Sequence, residues 1–161
     1  MPTRAGIGYD VHRRVAGRAL ILGGERFEGE RGLDGHSDAD VLLHAIGDAL
    51  LGALALGDLG THFPPGDPRW KDVSSSSSCC AGSARCSQDR GATIIHVDAS
   101  AGRRDAEAGA PPRARSARNI AGALGIGSTR VSVKATTNER LGAVGRDEGI
   151  AAWAIATVET A

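Results

Sequence analysis

The stretch SDADVLLHAIGDALLGALAL, residues 37–56, decides the fold because its apolar residues repeat with the period of a helix. The residues on this apolar stripe are Val41, Leu42, Ala45, Ile46, Ala49, Leu50, Ala53 and Leu54. Ser37, with Asp40 three residues further on, resembles a capping box, which predicts a helix beginning near Asp38. A helix with such a stripe must bury it against another element.

Strand and helix patterns alternate on both sides of this helix. Upstream, AGIGYDVH (5–12) predicts a strand, and RALILGGERFEG (18–29) predicts two short strands around the Gly23–Gly24 turn. Downstream, the patterns predict a loop over 57–70, a strand over 92–100, a helix over 116–126, and strands over 129–136 and 149–159. The alternation predicts one sheet covered by helices, in a single domain over residues 1–161.

Composition limits the partners that we expect. The 161 residues carry 19 basic and 19 acidic side chains, so no overall field favours nucleic acid or an anionic membrane. The N-terminus lacks the apolar core of a signal peptide, and no apolar run reaches the roughly 18 residues of a membrane span. These features predict a cytoplasmic protein. The crowded Cys79, Cys80 and Cys86 have neither a disulfide framework nor zinc-finger spacing.

Three side chains are candidate metal ligands. Asp10 and His12 are two positions apart on a predicted strand, so both point to the same side. His44 lies beside the apolar stripe of the first long helix. One carboxylate and two imidazoles suit zinc, with a fourth position open for substrate. A solvated pair at a strand end and a hydrogen-bonded core histidine are the alternative interpretations.

Two further stretches have groups that bind phosphate. GHSDAD (35–40) precedes the first helix, where backbone N–H groups and the helix dipole attract anions. KATTNERLG (134–142) follows a strand and contains hydroxyl groups, as well as a carboxylate at Glu139 that could hold magnesium. A polar capping loop and a plain strand-to-turn connection remain the alternatives at these two places.

Four separated motifs together resemble one enzyme family. They are DVH (10–12), GHSDADVLLHAIGDALLGALALGDLGTHFP (35–64), VKATTNERLG (133–142) and GRDEGIA (145–151). In this order they closely resemble the 2-C-methyl-D-erythritol 2,4-cyclodiphosphate synthases of the non-mevalonate isoprenoid pathway. The resemblance covers residues 5–72, 92–99 and 118–158, and its most specific part is the second motif.

The resemblance implies an activity and a set of site residues. The activity is the cyclisation of 4-diphosphocytidyl-2-C-methyl-D-erythritol 2-phosphate with release of CMP, the reaction of a phosphorus–oxygen lyase. It implies Zn²⁺ on Asp10, His12 and His44, Mg²⁺ or Mn²⁺ on Glu139 and the substrate diphosphate, and His36 and Thr137 as stabilisers of the transition state. The residues implied at the substrate are Asp10, His12, His36, Ser37, Asp58, Leu59, Gly60, Phe63, Pro64, Pro65, Gly66, Asp67, Thr136, Thr137, Asn138, Glu139 and Arg146.

The resemblance also implies the architecture. It is an α+β fold with a mixed β-sheet covered on one face by helices, assembled as a homotrimer with sites between subunits. Phosphoryl transfer depends mainly on positioning and on neutralising oxyanions. The two ions would therefore supply the charge that a neutral chain lacks, and we predict neither a general base nor a covalent intermediate.

Two stretches depart from the family. SSSSSCCAGSARCSQDR (74–90) replaces an expected helix, and SAGRRDAEAGAPP (100–112) replaces a Pro-Lys-apolar-x-Pro loop that grips the nucleotide. The region from 73 to 118 has no periodic apolar face, which predicts mobile linkers.

A slipped reading frame is a second explanation for both stretches. DNA that encodes residues 78–87 can read ELLRRVRALL when started one base earlier. DNA for DAEAGA (105–110) can read TPKLAP when started one base later. An uninterrupted frame with different codons, found on resequencing the DNA, would contradict this hypothesis.

Two other functions compete with the synthase. One is a catalytically impaired trimer that binds metal or isoprenoid diphosphates after losing its nucleotide loop. The other is a general zinc phosphoesterase, which would release inorganic phosphate in place of a cyclic product.

Overall fold

A computed structural model describes residues 1–35, 37–64, 76–105 and 113–161. Its strands are β1 (Thr3–Val15), β2 (Leu20–Leu22), β3 (Glu25–Phe27), β4 (Gly32–Leu33), β5 (Thr93–Arg103), β6 (Val131–Thr137) and β7 (Gly149–Glu159). Its helices are α1 (Val41–Ala53), α2 (Leu59–His62), α3 (Ser76–Asp89), α4 (Arg113–Leu124) and α5 (Gly142–Gly145), with a 3-10 turn over Ser128–Arg130.

Five strands form one mixed sheet in the order β4-β1-β7-β5-β6, and β2 and β3 form a separate hairpin. β1 pairs antiparallel with β7 along its length, and β7 pairs antiparallel with β5. β5 and β6 run parallel, and α4 lies in the connection between them, as a parallel pair requires. The predicted α+β class and mixed sheet are confirmed.

Helix α1 packs on the inner face of the sheet because β1 has glycines where the helix crosses it. A Cβ atom at Gly8 would lie 1.9 Å from the carbonyl oxygen of Ala45, and one at Gly6 would lie 2.1 Å from that of Ala49. Glycine therefore lets the two backbones approach closely. The apolar stripe of α1 is buried as predicted, together with the inward-facing alanines of β7.

Among the residues that the structure describes, no helix covers the opposite face of the sheet. Its large apolar side chains alternate with the inward-facing residues of the same strands. Ile7 lies opposite Ile155, and Tyr9 lies opposite Trp153 with the ring centroids 5.4 Å apart. All four side chains are at least 40% exposed. Helices therefore cover one face of the sheet, as predicted.

The predicted start of α1 was wrong by three residues, because its N-cap is Asp40 and not Ser37. The Asp40 carboxylate accepts hydrogen bonds from the backbone N–H groups of Leu42 and Leu43, and also from those of the Gly23–Gly24 turn. Ala39, immediately before it, has a φ of 55°, which excludes it from a right-handed helix. The helix therefore begins at Val41.

The prediction of linkers between 73 and 118 was wrong wherever the structure describes this region. Residues 76–89 form α3, residues 100–103 extend β5, and α4 begins at 113. Buried serines of α3 satisfy their hydroxyl groups inside the helix: Ser83 donates to the carbonyl oxygen of Cys79, and Ser87 to that of Ser83. A helix with little apolar surface can therefore still be buried.

Most other predicted elements are confirmed, with shifted ends. The hairpin at Gly23–Gly24, the last strand and the helix before Gly125 lie where the patterns placed them. The predicted loop over 57–70 contains one turn of helix, α2, and its residues from 65 onward lie outside the described ranges. Among the described helices, none combines the length and apolarity needed to cross a bilayer.

Candidate metal centre and active site

Asp10, His12 and His44 converge between β1 and α1. The Asp10 Oδ2 atom lies 2.9 Å from His12 Nε2 and 3.0 Å from His44 Nδ1, and the two nitrogens are 3.2 Å apart. The three side chains are between 20% and 25% exposed, so they are partly shielded from water. The i and i+2 positions on β1 and the middle of α1 therefore provide three ligand atoms at one point.

The triangle has the size of a metal site. Ligand atoms bound tetrahedrally to zinc at about 2.0–2.1 Å are about 3.3 Å from one another. The three separations here fall slightly below that value, and the three residues form a group that can hold a metal ion. One carboxylate and two imidazoles are ordinary zinc donors, so the residues fit the ion that the sequence predicts.

The electrostatics of the centre are those of coupled acid and base groups. Burial opposes ionisation of Asp10, but the hydrogen bonds to His12 and His44 outweigh it and hold the Asp10 pKa well below its usual range. The hydrogen bond to Asp10 raises the pKa of His12, against the effect of burial. The anion at Asp10 therefore attracts a cation to this point, whether it is a proton on His12 or a metal ion.

The orientation of His12 is fixed by the backbone. Its Nδ1 lies 2.6 Å from the carbonyl oxygen of Asp34, which can only accept a hydrogen bond. Nδ1 must therefore carry the proton, and Nε2 presents a lone pair to the centre. Metal-binding histidines are held in this way in most known sites.

The loop before α1 is also held in place, by an arginine that the sequence patterns did not indicate. Arg18 donates hydrogen bonds to the carbonyl oxygens of Gly35 (2.7 Å) and Ser37. The predicted site residue His36 lies between these two residues and is outside the described ranges. Ser37 is connected to the metal centre through Ser76. The Ser37 Oγ lies 3.4 Å from the Ser76 Oγ, which lies 3.0 Å from His44 Nε2.

The predicted substrate loop is described in part. Asp58 caps α2 by accepting hydrogen bonds from the backbone N–H and the hydroxyl of Thr61, and Leu59 and Gly60 lie in that helix. The ring of Phe63 lies over Gly82 of α3, and Pro64 is exposed. The predicted site residues Pro65, Gly66 and Asp67 lie outside the described ranges.

The second predicted group lies at the end of β6. The Thr137 hydroxyl donates to the carbonyl oxygen of Arg104 (2.7 Å) and accepts from the backbone N–H of Glu139 (3.0 Å). Thr136 and Asn138 flank it. Glu139 has a φ of 51°, a left-handed conformation that ends the strand and leaves its side chain exposed.

Arginines surround this second group. A cavity near it is lined by Arg104, Asp105, Arg140, Gly145 and Arg146. Arg146 was predicted at the substrate, and its guanidinium also pairs with Glu148 at 2.7 Å. Arg104 and Arg140 were not predicted, because only the folded chain places them beside Arg146.

The structure does not bring the two groups together in one chain. Asp10 pairs with Ala152 of β7, Ala152 pairs with Ala101 of β5, and Ala101 pairs with Ala135, the residue before Thr136. The groups therefore lie at nearly the same height in the sheet, but three strand spacings apart, which is about 14 Å.

Fold and site together define an α+β protein with a three-ligand metal centre between the longest strand and the first helix. The chain belongs to the YgbB family, whose model matches residues 3–159.

Two relatives of the chain are named enzymes. The chain is 50% identical over 155 residues to the 2-C-methyl-D-erythritol 2,4-cyclodiphosphate synthase of Desulfosudis oleivorans, covering 96% of this chain and 91% of that protein. It is 54% identical over 157 residues to the bifunctional enzyme IspD/IspF of Anaeromyxobacter dehalogenans, covering 96% of this chain but only 39% of that protein.

A solved structure is similar as well. It is the CDP complex of IspF from Plasmodium falciparum, with a TM-score of 0.83 and 28% identity, and the match covers 98% of this chain and 96% of that one.

Proposed function

We propose that the chain cyclises 4-diphosphocytidyl-2-C-methyl-D-erythritol 2-phosphate to 2-C-methyl-D-erythritol 2,4-cyclodiphosphate. An oxygen of the 2-phosphate attacks the diphosphate phosphorus that is bonded to the methylerythritol. The bond from that phosphorus to the bridging oxygen breaks, and CMP leaves. The observation that carries the proposal is the Asp10–His12–His44 triangle in a chain that is 50% identical to a synthase along nearly its whole length.

The metal centre would hold Zn²⁺ on Asp10, His12 and His44. When bound, the ion supplies a Lewis acid that neutralises charge on the reacting phosphate. The chain itself provides the rest by positioning. Arg18 holds the carbonyl groups of Gly35 and Ser37, which positions Ser37, and we assign contacts with the substrate to His36 and Ser37.

The end of β6 would bind the diphosphate and the nucleotide. The Thr136 hydroxyl and the Asn138 amide can donate to phosphate oxygens, the Thr137 hydroxyl can do so once it turns away from the carbonyl oxygen of Arg104, and Glu139 can hold Mg²⁺ or Mn²⁺ on them. We assign His36 and Thr137 to stabilisation of the transition state. Arg146, supported by Arg104 and Arg140, adds the positive charge that a polyanion requires.

A homotrimer would complete this site. The metal centre and the end of β6 are about 14 Å apart within one sheet. A neighbouring copy can place its β6 beside the β1 of the first, with the active site between the two. The uncovered apolar face of the sheet, with Tyr9, Trp153 and Ile155, is the surface that such an assembly would bury. We further propose that residues 1–161 form one domain of a cytoplasmic protein that acts on a small molecule.

The experiment is incubation of the purified chain with the diphosphocytidyl substrate, Zn²⁺ and Mg²⁺. We expect stoichiometric CMP and cyclodiphosphate, detected by ³¹P NMR, and loss of both when Asp10, His12 or His44 is changed singly to Ala. Zinc content measured on the same samples should fall with activity. Release of inorganic phosphate would instead indicate a phosphoesterase, and zinc uptake without CMP would indicate an impaired trimer.

A further inference from the structure

Ser76, the first residue of α3, contacts His44 at Nε2, the ring nitrogen that does not face Asp10 and His12. Its side chain is fully buried, and its Oγ lies 3.0 Å from His44 Nε2 and 3.2 Å from the backbone nitrogen of Asp40. The same hydroxyl also contacts the Asp38 carboxylate, which in addition accepts the backbone N–H of Ser76 at 2.9 Å. The serine therefore links His44 to an acid that lies outside the triangle.

The direction of each hydrogen bond follows from the chemistry of the partners. An ionised carboxylate can only accept, so the single hydroxyl proton of Ser76 points to Asp38. The Ser76 oxygen then has only lone pairs left for its two nearest neighbours, at 3.0 and 3.2 Å, and both must donate to it; the Ser37 Oγ lies farther away, at 3.4 Å. Asp40 donates its backbone N–H, and His44 must donate from Nε2.

This arrangement favours the tautomer of His44 that a metal ion requires, because an ion held by Nδ1 would take its lone pair and leave the proton on Nε2, where Ser76 accepts it. Without an ion, the Asp10 carboxylate, 3.0 Å from Nδ1, competes with Ser76 for the same proton. We propose that Ser76 and Asp38 position His44 as a metal ligand through the relay His44 Nε2–H to Ser76 Oγ–H to the Asp38 carboxylate. The inference rests on the proposed role of His44 in metal binding.

The relay differs from the fixation of His12. A backbone carbonyl holds His12, and that group survives most substitutions of the residue that carries it. Side chains hold His44, so single substitutions can remove the support. Partners of this kind that are removed from metal sites typically weaken metal affinity by about tenfold to a hundredfold.

The serine-rich helix supplies a matched control. Ser87 is as fully buried as Ser76, but its hydroxyl donates to the carbonyl oxygen of Ser83 within α3. The Ser76→Ala and Ser87→Ala variants thus each remove one buried hydroxyl from the same helix. We expect Ser76→Ala to bind zinc about tenfold to a hundredfold more weakly in a chelator competition titration, and Ser87→Ala to bind it like the parent.

A second readout separates positioning from general loss of structure. In ¹H–¹⁵N NMR of the zinc-loaded protein, the His44 Nε2–H proton should exchange slowly with water in the parent and in Ser87→Ala, and faster in Ser76→Ala, which lacks its acceptor. Asp38→Asn keeps an acceptor for the serine and should give a smaller loss of zinc affinity than Ser76→Ala. Equal zinc affinities of Ser76→Ala and the parent, or an unchanged exchange rate of the His44 Nε2–H proton, would overturn the proposal.

The outcome also distinguishes this inference from the proposed function. If the parent binds zinc but releases no CMP, the proposed function fails while the zinc titration still tests the relay. If the parent makes the cyclic product and Ser76→Ala binds zinc equally well, the relay alone fails.

Discussion

Helices α1 and α3 pack against each other, yet they are built from opposite materials. The buried face of α1 is aliphatic, with leucines, isoleucine and valine. The buried face of α3 consists of Ser76, Ser83 and Ser87 with one cysteine and small residues. The contrast teaches that a helix can be buried for two reasons: because its side chains drive burial, or because its neighbours leave room for it.

The two helices should therefore contribute very differently to stability. Each buried leucine of α1 removes a large apolar surface from water, worth about 1.5–3 kcal/mol. A buried serine of α3 contributes a hydrogen bond worth only about 0.5–1.5 kcal/mol net. α1 and the sheet thus provide most of the free energy of folding, and α3 depends on them.

The largest expected effect tests this difference directly. Leu50→Ala in α1 should lower the free energy of unfolding by about 2–5 kcal/mol, because it removes a fully buried side chain and leaves a cavity. Ser83→Ala in α3 should cost about 1 kcal/mol or less. Urea titrations of the two variants and the parent measure both values. Comparable losses in the two variants would contradict the unequal roles of the helices.

The next effect concerns the reading-frame hypothesis. Replacing residues 78–87 by ELLRGVAALL, the alternative reading with Gly82 and Ala84 kept because both are buried, puts apolar residues at positions 80, 83 and 87, which are fully buried in α3. We expect the free energy of unfolding to rise by about 1–3 kcal/mol, from burial and from better helix propensity. The matched control has the same ten residues reordered, so that the leucines occupy exposed positions. A less stable replacement would mean that the serine helix already fills its space.

How far the sequence predicts the fold depends on this same contrast. The stripe of α1, the Gly23–Gly24 hairpin and the alternation of β7 are local patterns, and each predicted its element. α3 has no such pattern, and it is buried by packing against α1 and α4. The start of α1 was misplaced because Asp40 is a cap that also binds a turn seventeen residues earlier in the chain.

The residues of the candidate site also fall into two groups: those that a local pattern indicated and those that only long-range contacts place. Spacing indicated that Asp10 and His12 share a side of a strand, the helical pattern offered His44 as a third candidate ligand, and the resemblance assigned all three to one ion. Arg18, Ser76 and Arg104 were not predicted, because their roles come from contacts between segments that are distant in the sequence. The wide separation of Thr137 from the metal centre within one chain needed the strand order, which the local patterns do not contain.

A third prediction concerns the effect of pH on zinc affinity. It is tested at His12 of β1, which shares the proposed metal centre with His44 of α1, whereas α3 carries no ligand. Asp10 raises the pKa of His12, so His12 takes up a proton at a higher pH than a free imidazole does. A protonated imidazole has no lone pair for a metal ion, so zinc affinity should fall as the pH decreases. Displacing one proton gives about a tenfold fall per pH unit.

Zinc titrations between about pH 8 and pH 5.5 measure this dependence in the window where histidine titrates. Circular dichroism at each pH serves as the control that the helices remain folded. A zinc affinity that stays constant over this range would show that His12 does not bind the ion.

The smallest effect compares two glycines inside helices. A Cβ atom added at Gly122 of α4 would meet no atom within 4 Å, whereas one at Gly82 of α3 would lie 2.4 Å from Cζ of Phe63. Gly122→Ala should therefore raise the free energy of unfolding by about 0.5–1 kcal/mol, through helix propensity and a less flexible unfolded chain.

Gly82→Ala should lose this gain, because the ring of Phe63 must move away from the helix. Thermal unfolding of both variants against the parent measures the difference as a shift of the Tm. Equal stabilisation by the two substitutions would mean that Phe63 leaves α3 at little cost. In that case the contact between Phe63 and Gly82 would not limit the size of the side chain at position 82. Packing of the substrate loop would then not explain why the residues of α3 are small.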